Sequence, residues 1–276
     1  MLITAQIRRL LTWAITSMIA LGFGLGIAQF DFFQTVERKS YDWRVKSLRD
    51  AGPKATSALV LIDEKTLSFF KETDGLRWPF PRDIYCPILQ YLKAGGARAV
   101  AFDIQFSEPD EFDGAFAECI AEANNVVLGI QCQGEPQPAP LALPGTVTLA
   151  GQLKGPRCHP LSPMPSLRKA ARAVGAIDME PDKDGVLRHA TLLRAHGDRA
   201  VVASLGVAAW RVAKGIERAE VVGDTLKMGG KTMPLTADGR LVVRWRRGEQ
   251  PYPSYSFKKI YANAMLWADN RATPLK

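Results

Sequence analysis

The sequence predicts an α/β fold, a mostly parallel sheet flanked by helices, and three observations carry that prediction. Three short apolar runs, residues 58–62, 99–102 and 126–130, are separated by segments each long enough for one helix, the spacing of a βαβαβ unit. The segments between them show helical periodicity: Ile84, Ile88, Tyr91 and Leu92 share one face, and Phe112, Phe116, Cys119 and Ile120 share another. Two of the runs end in an aspartate, Asp63 and Asp103, at the carboxyl ends where parallel sheets gather ligands. An N-terminal transmembrane helix and an additional β-hairpin-containing C-terminal part complete the expected architecture.

The chain begins with Arg8-Arg9 and then an uncharged stretch, residues 10–30, closed by Asp31. At helical rise that stretch reaches across a bilayer core, and the flanking arginines place the first nine residues in the cytoplasm. A cleaved signal peptide is the competing reading, because Gly26-Ile27-Ala28 offers small residues at a cleavage spacing. Residues 31–50 continue as a helix that Gly52-Pro53 stops. After the first strand a short helix over 65–71 leads to Trp78-Pro79-Phe80-Pro81, where each proline holds its predecessor extended. A helix restarts near Asp83 and stops at Gly95-Gly96; the second strand spans 99–104, a helix 113–123, and the third strand 126–130.

Residues 133–165 hold many prolines and read as a long loop. A helix over 167–174 is followed by strands at 176–179 and 186–193, joined by the acidic turn Glu180-Pro181-Asp182-Lys183-Asp184-Gly185. That turn has oxygen ligands at alternate positions, but Thr191 stands where a calcium loop requires a bidentate Glu, so a plain β-turn is the reading. A helix over 201–214, a hairpin of 225–228 with 231–235 around Gly229-Gly230, a strand at 241–245 and a helix over 256–267 finish the chain.

With 47% hydrophobic residues the chain can bury a large core. The formal charge of +8 is concentrated in the second half and reads as solvated surface, since no basic helix with interleaved aromatics is present. Nucleic acid is therefore not an expected partner. Three histidines and no C-x-x-C argue against a zinc site, and no cofactor or metal is expected. Cys86 and Cys119 read as buried small hydrophobes; Cys132 and Cys158 flank the Pro-rich loop, and a disulfide could close it if the two Cα atoms meet at bonding distance. No Gly-rich phosphate loop, G-x-S-x-G elbow or His-paired nucleophile occurs, so no catalytic role is expected.

The order of Leu61-Ile62-Asp63-Glu64, Trp78-Pro79-Phe80-Pro81-Arg82, Ala94-Gly95-Gly96-Ala97, Phe102-Asp103, Phe106-Ser107-Glu108-Pro109, Asn125-Val126-Val127-Leu128, Val174-Gly175, Asp182-Lys183-Asp184-Gly185-Val186-Leu187-Arg188 and Ser204-Leu205 resembles the type-two CHASE domain, an extracellular sensory module of bacterial transmembrane signalling proteins. The resemblance runs from about residue 32 to the C-terminus. It implies a sensory input domain whose output, a nucleotide cyclase or a protein kinase, lies elsewhere in the polypeptide. It also implies a further Gly-Lys strand after Thr273-Pro274-Leu275-Lys276, so the chain is expected to be truncated there.

The expected organisation is a cytoplasmic segment 1–9, a transmembrane helix 10–30 and an extracytoplasmic sensory domain 31–276 at the inner or plasma membrane. Expected partners are the membrane through residues 10–30, a second copy in a homodimer, and a small ligand or envelope protein. Asp63, Trp78, Arg82 and Asp103 are the candidate ligand-binding residues: Arg82 would pair a ligand carboxylate and Trp78 supply an apolar wall. The competing reading makes Asp63 a helix cap and Arg82 its structural ion-pair partner or that of Asp103. The competing function is a ligand-free dimerisation or scaffolding ectodomain.

Overall fold

The computed structural model describes residues 2–28, 31–47, 56–133, 141–197, 200–243, 245 and 252–269. The Gly52-Pro53 stop and the C-terminal Thr273-Pro274-Leu275-Lys276 lie outside them. The chain divides into two compact units, Met1–Pro53 and Lys54–Lys276.

The first unit holds helices α1 (Leu2–Ala28) and α2 (Asp31–Ser47). The expected transmembrane helix over 10–30 requires correction: among the described residues no helix is long and apolar enough to cross a membrane. Thr12, Thr16 and Ser17 interrupt the apolar run of α1, where a bilayer core demands roughly 20 predominantly apolar positions. Helix α2 is polar, with Arg44 and Lys46 in its last turn, where cations offset the partial negative charge of the helix end.

In the second unit the elements run β1 (Leu59–Leu61), α3 (Glu64–Thr73), a single 3-10 turn (Arg82–Ile84), α4 (Tyr85–Ala94), β2 (Val100–Phe102), α5 (Asp113–Ala123), β3 (Val126–Ile130), β4 (Val147–Ala150), α6 (Pro165–Ala170) and β5 (Ala173–Ala176). They continue through β6 (His189–Ala190), β7 (Leu193–His196), β8 (Ala200–Ala203), α7 (Leu205–Lys214), β9 (Arg218–Val222), β10 (Thr225–Met228), β11 (Lys231–Pro234), β12 (Leu241–Val242), β13 (Ser254–Ser256) and α8 (Phe257–Ala268).

The mostly parallel sheet expected from the sequence is also corrected. Strands β2, β3 and β5 do form a parallel trio, but β1 pairs with β13 instead of joining it. A larger six-stranded sheet in the order β11-β10-β9-β4-β8-β7 is antiparallel throughout except where β4 runs parallel to β9. A bridge between Ala176 and Ser204 links the trio to the end of β8, so the β-structure is mixed and curls. The expected hairpin exists as β10 and β11, and it is an edge of this sheet instead of a separate appendage.

Strand β3 is the hinge of the packing. Val126, Leu128 and Ile130 face an aromatic core with Phe70, Tyr85, Phe102, Phe106, Phe116 and Phe257, while Val127 faces a second, aliphatic core with Val147, Leu193, Val201 and Leu226. All five residues of β3 are buried, the state of a strand covered on both faces, which is why its sequence is apolar without alternation. Helix α7 lies close against β5 because Gly175 is there: a Cβ at that position would stand 2.6 Å from the Cα of Leu205.

All four cysteines are paired. Cys132–Cys158 has a Cα separation of 4.5 Å and ties the chain two residues past the end of β3 to the segment between β4 and α6. Cys86–Cys119, with Cα atoms 5.6 Å apart, joins α4 to α5. This pairing corrects the reading of Cys86 and Cys119 as buried hydrophobes: both lie on helix faces that meet, and both are half-buried. Replacing Cys132 and Cys158 by serine is expected to lower stability by about 2–4 kcal/mol, read as a lower urea midpoint against the intact chain. An unchanged midpoint would show that the 26-residue separation of the two cysteines constrains nothing in the unfolded chain.

Candidate ligand cleft

Asp63 stands just beyond β1 as the N-cap of α3. Its Oδ1 accepts hydrogen bonds from the Thr66 amide at 2.9 Å, the Thr66 hydroxyl at 2.7 Å and the Ser256 hydroxyl at 2.9 Å. These bonds, the Thr66 hydroxyl foremost, hold its pKa below the usual carboxylate range against a smaller opposing effect of burial. The cluster thereby fastens the start of α3 to the β13–α8 junction, since the Lys258 amide donates to the Thr66 hydroxyl oxygen at 3.2 Å. Asp63→Ala is expected to lower the melting temperature by a few degrees, and Asp63→Asn, which keeps an acceptor, by less; calorimetry of the two variants checks the order.

Arg82 is 6% exposed. Its guanidinium pairs with Asp113, donates to the Glu108 carbonyl and lies over the Phe106 ring, 5.3 Å from the centroid. Its carboxylate partner is thus Asp113 at the start of α5, a residue to which the sequence reading gave no role. Trp78 is half-exposed and meets Phe80 edge-on at 5.5 Å, and Asp103 is exposed. Among the described residues no hydrogen bond or ion pair joins any two of Asp63, Trp78, Arg82 and Asp103.

A cleft of about 380 Å³, open to solvent, lies where three segments distant in sequence meet, lined by Gly155, Pro156, Glu180, Pro181, Asp238 and Arg240. Local sequence shapes each wall. The turn at 236–240 closes by hydrogen bonds from the Thr236 amide to the Arg240 carbonyl at 2.7 Å and from the Gly239 amide to the Thr236 carbonyl at 2.8 Å. Gly239 has φ +78°, and a Cβ on it would collide with the Lys154 carbonyl oxygen, so only glycine lets this turn touch the 154–156 segment. That segment is held in turn by the Ala195 amide, which donates to the Pro156 carbonyl at 3.1 Å.

Charge is layered behind the walls. Arg240 Nε donates to Asp238 Oδ2 at 2.6 Å, and its Nη1 lies 3.7 Å from Asp182 Oδ1. The Thr236 hydroxyl and then Arg240 hold Asp238 ionised, with its pKa lowered. The Asp182 side chain is 8% exposed and also meets Arg188 at 3.1 Å and His189 Nδ1 at 2.9 Å. Burial works against its charge, but the His189 and Arg188 hydrogen bonds prevail and lower its pKa. Asp184 is taken by Arg188 through two hydrogen bonds, at 2.8 and 2.9 Å, which bring its pKa down to about 2. Glu180 is half-exposed and accepts from Arg194 Nη2 at 3.3 Å, and Arg194 itself is 2% exposed.

The acidic turn read from the sequence is present: the Gly185 amide donates to the Asp182 carbonyl at 2.8 Å, with Gly185 at φ +78°. Its aspartates bind arginines of the same chain. The signal that could have pointed to the cleft was the run of acidic residues followed by Arg188, His189 and Arg194 at strand spacing, together with the Asp238-Gly239 turn.

The family model of the CHASE2 domain matches residues 14–273. The chain belongs to the CHASE2 domain family. No curated protein and no solved structure matches it. CHASE2 domains are extracellular sensory domains, and in this CHASE2 domain none of Asp63, Trp78, Arg82 and Asp103 is among the residues that line the cleft.

Proposed function

We propose that this chain is an extracytoplasmic sensory input domain, without catalytic activity of its own, that reports to a cyclase or kinase output elsewhere in its polypeptide. The CHASE2 match over residues 14–273 carries the reading. Two disulfides agree with an oxidising compartment outside the cytoplasm. A fusion of alkaline phosphatase after Lys276 tests the compartment: activity in growing bacteria is expected, and an inactive phosphatase beside an active β-galactosidase fusion at the same point would overturn it. Sensing is tested by a thermal-shift screen of small metabolites, since a solute that binds only the folded state raises its melting temperature. A screen without any such solute, with a constant dimer by light scattering, would replace sensing with the ligand-free scaffolding role.

A further inference from the structure

The two disulfides differ in how far a reagent can reach them. Cys132 and Cys158 are 8% and 3% exposed, and their backbones are pinned beside the bond: the Cys132 amide donates to Asp178 Oδ2 at 2.7 Å and the Cys158 amide to the Ala195 carbonyl at 2.8 Å. Cys86 and Cys119 are only half-buried, one on α4 and the other on α5. A thiolate that opens a disulfide must touch one of its sulfurs, so access separates the two pairs.

A second observation concerns what remains when the more exposed bond opens. Cys86 Sγ stands 3.8 Å from the Ala115 carbonyl oxygen. In the disulfide that sulfur has no proton to give; as a thiol it donates to this carbonyl from where it stands. The two helices also have ties that involve no sulfur. The Tyr85 and Phe116 rings lie 5.5 Å apart, Lys93 Nζ donates to the Glu122 carbonyl, Asn125 Nδ2 donates to the Ala97 carbonyl at 2.6 Å, and Arg82 pairs with Asp113. Opening Cys86–Cys119 therefore releases one of several ties between α4 and α5 and leaves the core beneath them closed.

From these features we infer that Cys86–Cys119 is a redox switch, opened by a dithiol in the folded chain while Cys132–Cys158 stays closed. One thiolate of the dithiol attacks Cys119 Sγ, forming a mixed disulfide as Cys86 leaves and takes up a proton. The second thiolate of the dithiol then attacks the reagent's own sulfur in that mixed bond, and Cys119 leaves and takes up a proton in turn. The cysteine pair gains two electrons and two protons, and the dithiol departs as its internal disulfide. The inference deepens the sensory reading by naming a dithiol as the class of signal, and it rests on that reading for its biological meaning.

The test is a time course of the 276-residue chain in dithiothreitol without denaturant, with freed thiols trapped by N-ethylmaleimide and located by peptide mass spectrometry. Cys86 and Cys119 are expected to be labelled about tenfold or more faster than Cys132 and Cys158, the difference that access makes. The chain opened at the first pair alone is expected to melt cooperatively, to show faster hydrogen exchange in α4 and α5 than the oxidised chain with no change in β9, β10 and β11, and to close again in oxidised glutathione. The double variant Cys86→Ser, Cys119→Ser is expected to reproduce the faster exchange with no reductant present. The proposal is overturned if both pairs open together, if Cys132–Cys158 opens first, if the chain unfolds as Cys86–Cys119 opens, or if exchange in α4 and α5 is the same in both states. A Cys86–Cys119 bond that resists dithiothreitol in a chain whose melting temperature a metabolite raises would remove the switch and leave the sensory reading intact.

Discussion

Phe116→Ala is expected to destabilise the second unit by about 3–5 kcal/mol, the range for deleting a fully buried aromatic ring from a core that cannot collapse around the gap. Phe116 has no exposed surface. Its ring lies 5.5 Å from that of Tyr85, 5.9 Å from Phe102 and 5.4 Å from Phe106, so one residue of α5 organises side chains from α4, from β2 and from the loop after β2. Burial has also pushed the Tyr85 phenol well above its ordinary pKa, which marks how dry this core is. A shift in the urea midpoint at unchanged slope, and a melting temperature lower by on the order of 10 °C, is the expected readout. Phe116→Leu retains most of the volume and is expected to lose less. Equal losses for the two variants would show that ring geometry, and not cavity volume, dominates the site.

The second large effect is expected at Arg188. It is 4% exposed and holds Asp182 and Asp184 together, so Arg188→Ala strands a nearly buried Asp182 with only His189 and the more distant Arg240. A loss of about 3 kcal/mol at neutral pH is expected, the low end for breaking a buried pair, because those two partners remain. The effect has a pH signature. Both aspartates have folded-state pKa values below their unfolded ones, that of Asp184 at about 2. Their contribution is therefore complete above the unfolded value near 4, by the reference scale, and is lost as pH falls through the folded values. The gap in stability between the native chain and Arg188→Ala is expected to be widest near neutrality and to narrow between about pH 4 and pH 2. Guanidine melts at a series of pH values check this, and a gap that stays constant down to pH 2 would remove Arg188 from the linkage. Arg188→Lys keeps the charge but not the two-pronged contact with Asp184, and is expected to fall between the two.

Several elements were legible because their signals are local. The helical spacing of Phe116, Cys119 and Ile120 predicts a helix over 113–123, and α5 spans Asp113–Ala123; the run at 126–130 is β3. Gly229-Gly230 between two β-rich runs gives the hairpin of β10 and β11, both glycines having positive φ. The Asp63 cap is likewise a matter of a carboxylate three residues before Thr66.

Other elements were decided by distant partners. The helix expected over 201–214 begins only at Leu205, because Val201, Val202 and Ala203 are taken by the sheet between β4 and β7. The helix expected over 167–174 ends at Ala170, because residues from Ala173 onward pair with β3. Within the supposed long loop, Val147–Ala150 forms β4 at the centre of the six-stranded sheet, a role no periodicity of four residues announces.

Period, cap and turn chemistry within a few neighbouring residues were thus enough for the parallel pair of β2 and β3 with α5 between them, for the helix faces and turns, and for the membership of the CHASE2 family. Only the tertiary structure decided that β1 pairs with β13, that Cys86 meets Cys119, that Arg82 answers Asp113, and that Gly155, Glu180 and Arg240 share a cleft. Each of those depends on which surfaces the chain buries together, and burial is a property of the whole fold that no short stretch of sequence contains.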